Sequence, residues 1–246
     1  MPYYTTLLTC IACLFSPLVL FGENVGLLVM ATGKYIQYVD PLISSAEKHF
    51  CKNHKVTYFI FTDSDLPSTD RIVYIKQKRL GWPFDTMMRY HTYLESQDIL
   101  KTQDYLFACD ADMLFVDEVG DEILSKRVAT LHPSFVGQRG TYETNPDSKA
   151  YIPSHEGECY FAGGFYGGEA LEVLRIAQVN ANNIDNDLKQ DLIAIWHDES
   201  HWNRYCVDNQ PTLILSPSYC YPESWGLPYT PRLLALDKNH HEMRNN

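Results

Sequence analysis

Apolar runs alternate with amphipathic stretches over the first half of this chain. Residues 25–31 (VGLLVMA) form a nearly unbroken apolar run ahead of Gly33, which predicts a buried strand and then a turn. In residues 41–50, Leu42, Ile43, Ala46 and Phe50 recur at helical spacing, and Pro41 stands where a helix tolerates a missing N–H, so a helix is predicted. Residues 56–61 (VTYFIF) predict a second strand, closed by Thr62 and Asp63. A short third strand over 72–75, a helix over 86–100 and a fourth strand over 105–109 follow. Strands alternating with helices predict an α/β fold on a mostly parallel sheet. Such sheets bind ligands beyond the carboxyl ends of their strands, where Asp63, Asp110 and Asp112 fall.

Beyond Asp117 the pattern loosens. Residues 128–131 predict a strand ending at His132-Pro133, and the polar stretch 139–159 predicts a loop-like, mobile flap. Residues 161–168 (FAGGFYGG) hold four glycines, which fit a flexible turn, close backbone packing, or a ligand lying on bare backbone. Leu171, Leu174 and Ala177 predict a helix face ahead of the Asn-rich stretch 180–186.

Residues 5–22 are apolar, interrupted by Pro17, with no basic start and no small-x-small cleavage pattern. A signal peptide, a membrane anchor and a misassigned start all remain open for this leader. The division expected is therefore a leader over 1–23 and a catalytic domain over 24–246. Localisation follows the leader: membrane-associated through residues 5–22, or cytoplasmic if that segment has no function.

Composition narrows the function classes. With 45% apolar and 21% charged residues in 246, the chain is globular and long enough for one substantial core. A formal charge of −11 argues against a nucleic-acid partner, since phosphate backbones are bound by an excess of Lys and Arg. Cys10 and Cys13 form a CxxC without a second pair, and the other five cysteines are scattered as small hydrophobes.

Three groups carry candidate chemistry. Asp110 and Asp112 follow an apolar strand, where a lone buried carboxylate costs several kcal/mol unless paired or bound to a cation. Residues i and i+2 of a strand share a face, so the pair predicts a site for Mg²⁺ or Mn²⁺ bridging to a phosphorylated ligand; solvated turn acids are the plainer alternative. Trp196-His-Asp-Glu-Ser-His201 fits a helix start capped by Asp198 or Ser200. It equally fits a sugar pocket, with Trp196 against C–H faces, Asp198 on hydroxyls and Glu199 doing the chemistry. Lys238 and Arg244 fit a solvated tail or a lid on phosphates, and Arg89 a helix-surface cation or a partner for Asp110.

These pieces, in order over residues 25–246, resemble the family 6 glycosyltransferases, which include the histo-blood-group A and B transferases and the α-1,3-galactosyltransferase. The resemblance rests on Ser45-Ala-Glu-Lys-His-Phe50, Phe61-Thr-Asp63, Asp104-Tyr-Leu, Asp110-Ala-Asp-Met, Thr130-Leu-His-Pro133, Ala150-Tyr-Ile-Pro153, Gly163-Gly-Phe-Tyr-Gly-Gly168, Trp196-His-Asp-Glu-Ser-His201, Leu215-Ser-Pro217 and Lys238-Asn-His. It implies a GT-A fold, a single Rossmann-like domain with acceptor-side loops. It implies transfer of galactose or N-acetylgalactosamine (GalNAc) from a UDP-sugar to a galactose 3-hydroxyl of a glycan acceptor, with retention and usually with Mn²⁺.

Position by position, the resemblance places Ala31, Thr32 and Tyr35 around the uridine. Asp110 and Asp112 would hold the metal and diphosphate, and Arg89 would contact the donor and Asp110. Gly163 and Gly164 would form the donor-sugar wall, and Asp198 would bind donor hydroxyls. His132 and Trp196 would line the acceptor side. Glu199 would be the catalytic carboxylate, as nucleophile or as stabiliser of an oxocarbenium-like centre, also facing the acceptor. Lys238 and Arg244 would clamp the pyrophosphate.

The small wall Ala162-Gly163-Gly164 favours UDP-GalNAc over UDP-galactose, a one-sided size argument. The chain keeps Asp-x-Asp where some bacterial relatives have Asn-x-Asn, which favours metal dependence, and its short front matches the bacterial-type members. Tyr221-Pro222-Glu223 stands where vertebrate members carry an acceptor-binding Trp-Asp. A galactosyltransferase, a metal-dependent phosphohydrolase or nucleotidyltransferase, and a non-catalytic UDP-sugar or glycan-binding module remain as rivals.

Overall fold

The computed structural model of the chain describes residues 22–244. The leader, with the membrane association expected of it, lies outside the described residues up to residue 21. Among the described residues no helix is long and apolar enough to cross a membrane.

β1 (Asn24–Met30) is the first apolar run, and Val25, Leu27, Leu28 and Val29 are buried on both faces, as in the middle of a parallel sheet. A 3-10 turn (Gly33–Tyr38) leads into α1 (Val39–His49), which buries Leu42, Ile43 and Ala46. Phe50 falls just outside that helix and joins the core through a bridge to Val119. β2 (Lys55–Thr62) and β3 (Ile72–Lys76) follow.

The helix predicted over 86–100 is three short pieces: α2 (Phe84–Met87), α3 (Arg89–Glu95) and α4 (Gln97–Leu100). The breaks fall at Met88 and Ser96, whose backbones (ψ 12° and 10°) sit in the bridge region between helix and strand. β4 (Tyr105–Asp110), β5 (Met113–Phe115), β6 (Arg127–Leu131), β7 (Phe161–Glu169), α5 (Ala170–Leu188), α6 (His197–Asp208), β8 (Leu213–Leu215), β9 (Tyr221–Pro222), β10 (Leu233–Ala235) and α7 (His240–Arg244) complete the chain.

The main sheet is an α/β sheet of seven strands in the order β3-β2-β1-β4-β7-β6-β8. It is mostly parallel; β7 runs antiparallel to both neighbours. A small sheet, β5-β10-β9, stands beside it. Strand alternation divides the core between the two faces. Leu27, Val29, Tyr58 and Ile60 pack with α1, while Leu28, Phe59, Phe61 and Leu106 pack with α3, α5 and α6.

Three expectations change here. The glycine run is no turn: it is β7, inside the sheet. A Cβ at Gly167 would lie 2.2 Å from the Leu106 carbonyl oxygen, so this glycine serves close backbone packing. The Asn-rich stretch does not end α5, which runs through it to Leu188 and buries Asn180. The polar stretch 139–159 is packed rather than a free flap. Tyr142 and Ile152 bury against Tyr160, and Ser148 donates to Asp187 at 2.6 Å.

The close packing at Gly167 gives a stability prediction. Gly167→Ala overpacks the β4–β7 contact and should cost about 3 kcal/mol. Urea unfolding followed by circular dichroism checks this through a lower midpoint.

Candidate active site

A cavity of about 270 Å³ opens at the carboxyl ends of β1 and β4. Asp110 is the last residue of β4, and Ala111 and Asp112 form the turn into β5. The two acids therefore do not share a strand face. The turn brings both to the cavity. Asp112 is almost fully buried (6%), while Asp110 is 40% exposed at the side chain.

Arg89, on the first turn of α3, is 5% exposed at the side chain and ties the cavity wall together. Its guanidinium pairs with Asp110 Oδ1 and with Asp198 Oδ2, both at 3.0 Å. It also donates to the Gly163 carbonyl at 3.3 Å and to Thr86 Oγ1 at 2.7 Å. Burial would discharge Arg89, but Asp198 and Asp110 hold its pKa well above the ordinary value. Burial pushes Asp198 up to about 6 against the pull of Arg89, with the Asp110 charge adding to the rise.

Glu199 lies one residue further along the first turn of α6 and also lines the cavity. Its Oε2 accepts from the Gly163 N–H at 2.7 Å, and its Oε1 from the Tyr160 hydroxyl at 2.8 Å. Burial raises its pKa to about 7, and these two donors hold back part of that rise. Asn203, one turn later, donates to the Glu199 and Phe161 carbonyls at 2.9 Å, and its Oδ1 accepts from the Phe161 N–H at 2.8 Å. The start of β7 is thus clamped to the start of α6.

Gly163 can serve both partners because β7 leaves its ladder here. Ala129 pairs with Tyr166, but the next residue, Thr130, pairs with Ala162. The three residues between are looped out of the β6 pairing, as in a bulge beside a functional site. This frees the Gly163 N–H for Glu199 and its carbonyl for Arg89. Neither Asp198 nor Ser200 caps α6 as expected: Asp198 is taken by Arg89, and Ser200 Oγ accepts from the Trp196 N–H at 3.0 Å.

The remaining predicted residues divide between the cavity and its surroundings. Thr32, Tyr35, Gly163, Gly164, Trp196 and Lys238 line it. Lys238 contacts Asp112 Oδ2 and lies 5.6 Å from the Tyr35 ring centre. Ala31 is fully buried below the rim, and Ala162 lies in the core rather than in the wall. His132 is not among the lining residues; it lies edge-on to Tyr160 at 5.6 Å, and burial lowers its pKa to about 4. Arg244 ends α7, and its side chain lies outside the described residues.

Sequence patterns missed Tyr160, Thr86, Asn203 and Arg79. Asn203 stands four residues after Glu199, a helical spacing that could have signalled a shared face. No local pattern marks the others, which meet the site only through the fold.

The acid pair is tested as a cation site by its donor chemistry. Among the described residues no group of three His, Cys, Asp or Glu could hold a metal. Two carboxylates suit a hard cation that completes its shell with phosphate oxygens and water, rather than one caged by protein.

The glycosyltransferase family 6 model matches residues 19–245. The chain belongs to glycosyltransferase family 6. It is 37% identical over 241 residues to histo-blood group ABO system transferase 1 of Rattus norvegicus, covering 91% of this chain and 69% of the relative. It is 32% identical over 242 residues to globoside alpha-1,3-N-acetylgalactosaminyltransferase 1 of Gallus gallus, covering 90% and 69%. The human protein of that name is also 32% identical, covering 88% and 67%. This family 6 chain is a hexosyltransferase, and its sheet is that of a GT-A-like domain.

The bonds to Glu199 yield a direct test. Tyr160→Phe removes a donor that favours the charged carboxylate, so the Glu199 pKa should rise by about one unit. Carboxylate bands in infrared titration, assigned with Glu199→Gln, check the direction; an unchanged pKa contradicts it.

Proposed function

We propose that this family 6 enzyme transfers GalNAc from UDP-GalNAc in α-1,3 linkage, with retention, to a β-galactoside, with or without fucose. The observation that carries the reading is Glu199, held by Gly163 and Tyr160 in a cavity that Asp110 and Asp112 also line. The names of the relatives, ABO transferases and globoside α-1,3-N-acetylgalactosaminyltransferases, agree with it.

The residues divide the chemistry into two ends. At the leaving-group end, Asp110 and Asp112 would hold a divalent cation, Mn²⁺ or Mg²⁺, which when bound supplies positive charge to the diphosphate. Lys238, with Arg244 from α7, adds cationic charge where UDP becomes more negative in the transition state. Lys238 starts on Asp112 and exchanges that partner for phosphate. Thr32 and Tyr35 flank the nucleotide.

At the sugar end, Asp198 and Arg89 are fixed hydrogen-bonding partners for donor hydroxyls. Glu199 faces the anomeric carbon, where a carboxylate bonds to C1 or stabilises positive charge there. Two inversions at C1, or shielding of one face by Glu199, both give retention. Trp196 and Glu199 face the acceptor.

Donor choice rests on the wall. A Cβ at Gly163 would stand 3.3 Å from Glu199 Oε2, and one at Gly164 3.2 Å from Cys220 Sγ. Bare glycines therefore keep both the cavity's volume and the seat of Glu199. The added room suits the acetamido group of GalNAc.

A donor–acceptor panel with Mn²⁺ or EDTA, read by product mass, tests the proposal. GalNAc–lactose-type product is expected with Mn²⁺ and its loss with EDTA. Exclusive use of UDP-galactose overturns the donor, full activity in EDTA the metal, and sugar release without acceptor the transferase reading. Glu199→Gln should lower kcat about a thousandfold while UDP binding stays within about twofold. Because Glu199 must be ionised and its pKa is raised to about 7, kcat/KM should fall as the pH drops below 7.

A further inference from the structure

Charge accounting in the cavity singles out Arg79. Among the described residues, five Asp and Glu side chains line the cavity against three Arg and Lys. Two of these cations are committed to the protein. Arg89 is buried between Asp110 and Asp198, and Lys238 contacts Asp112. Arg79 also lines the cavity, and among the described residues it has no carboxylate or hydrogen-bond partner.

Its position is built. Arg79 lies three residues past the end of β3, and the Gln77 N–H donates to the Thr62 carbonyl at 2.7 Å, which anchors this segment to the carboxyl end of the sheet. The guanidinium rests on Gly33, in the turn after β1. A Cβ there would come within 2.8 Å of Arg79 Cζ and 3.0 Å of Nε and Nη2. Gly33 has φ +57°, a left-handed conformation suited to glycine, and its N–H is held by Asp63 Oδ1 at 2.7 Å. The Asp63 predicted at the strand end thus shapes the turn on which Arg79 lies. Tyr35, two residues along, carries Lys238 over its ring, so Arg79 and Lys238 approach the same end of the cavity.

We propose that Arg79 binds a phosphate of the nucleoside diphosphate, as the cation already in place before Lys238 leaves Asp112. The inference rests on the UDP-sugar reading above and adds a residue to it. A cation that must first leave a carboxylate contributes only the difference between two ion pairs. A guanidinium with no protein partner gives up only water for a charge-assisted contact of bidentate geometry. Electrostatically, Arg79 reduces the excess of acid that opposes a diphosphate.

Calorimetric titration of the full chain with Mn²⁺ separates phosphate from nucleoside. Titrants are UDP and uridine, on wild type, Arg79→Ala and Arg79→Lys. Arg79→Ala should weaken UDP about ten- to thirtyfold and leave uridine within about twofold; Arg79→Lys should recover part of the loss. The salt dependence of UDP binding should flatten in Arg79→Ala. Unchanged UDP affinity in Arg79→Ala overturns the proposal, and equal losses for UDP and uridine overturn it in favour of a base or ribose contact. Wild type that does not bind UDP sinks the UDP-sugar reading itself, a distinguishable result. Thermal unfolding of each variant, with Arg79→Met as a second truncation that retains side-chain bulk, separates lost contact from lost fold.

Discussion

The buried guanidinium of Arg89 is the constraint on which the site depends. A charge that is 5% exposed is tolerable only if its partners are fixed, and it has two carboxylates, two carbonyls and a hydroxyl. Those partners come from β4, α6, β7 and α2. One side chain therefore sets the relative placement of Asp110, Asp198 and Gly163. Removing one member of such a buried pair leaves an uncompensated charge, at a cost of about 3–5 kcal/mol. Glu199 is positioned as a consequence: Arg89 holds the Gly163 carbonyl, and the N–H of the same residue holds Glu199.

The glycines of β7 divide into two physical jobs along one strand. Gly167 is pressed against β4, where a side chain would strike Leu106 and Phe107. Gly163 and Gly164 lie where the strand leaves its β6 ladder, and they face the cavity. The strand is closely packed at one end and presents bare backbone at the other. Arg127, bonded to Glu172 of α5 by its Nε at 2.8 Å, adds a buried tie behind the ladder.

Much of this was legible in the sequence because strands buried on both faces read as apolar runs. β1, β2 and β4 follow directly, and so does the expectation that acids at their carboxyl ends mark a site. β7 was not legible, since strand propensity counts against glycine and only the neighbouring strand explains Gly167. The same limit hid Tyr160: its hydroxyl matters because α6 folds back over β7, a contact 39 residues away in sequence. Asp110 and Asp112 were found for a partly mistaken reason, since a turn rather than a strand face brings them to one cavity.

Asp198 and Glu199 are neighbours in sequence, yet the fold gives them unlike surroundings. Asp198 receives a guanidinium, so its negative charge is largely answered by the protein. Glu199 receives a peptide N–H and a phenol, neutral donors that orient the carboxylate without cancelling its charge. Burial raises both pKa values, to about 6 and about 7. The less compensated carboxylate gains more from a positive centre forming in front of it. That asymmetry agrees with the proposed division, Glu199 at the bond-making end and Asp198 holding the sugar. In the proposed reaction this leaves the acid pair, Asp110 and Asp112, to the leaving group.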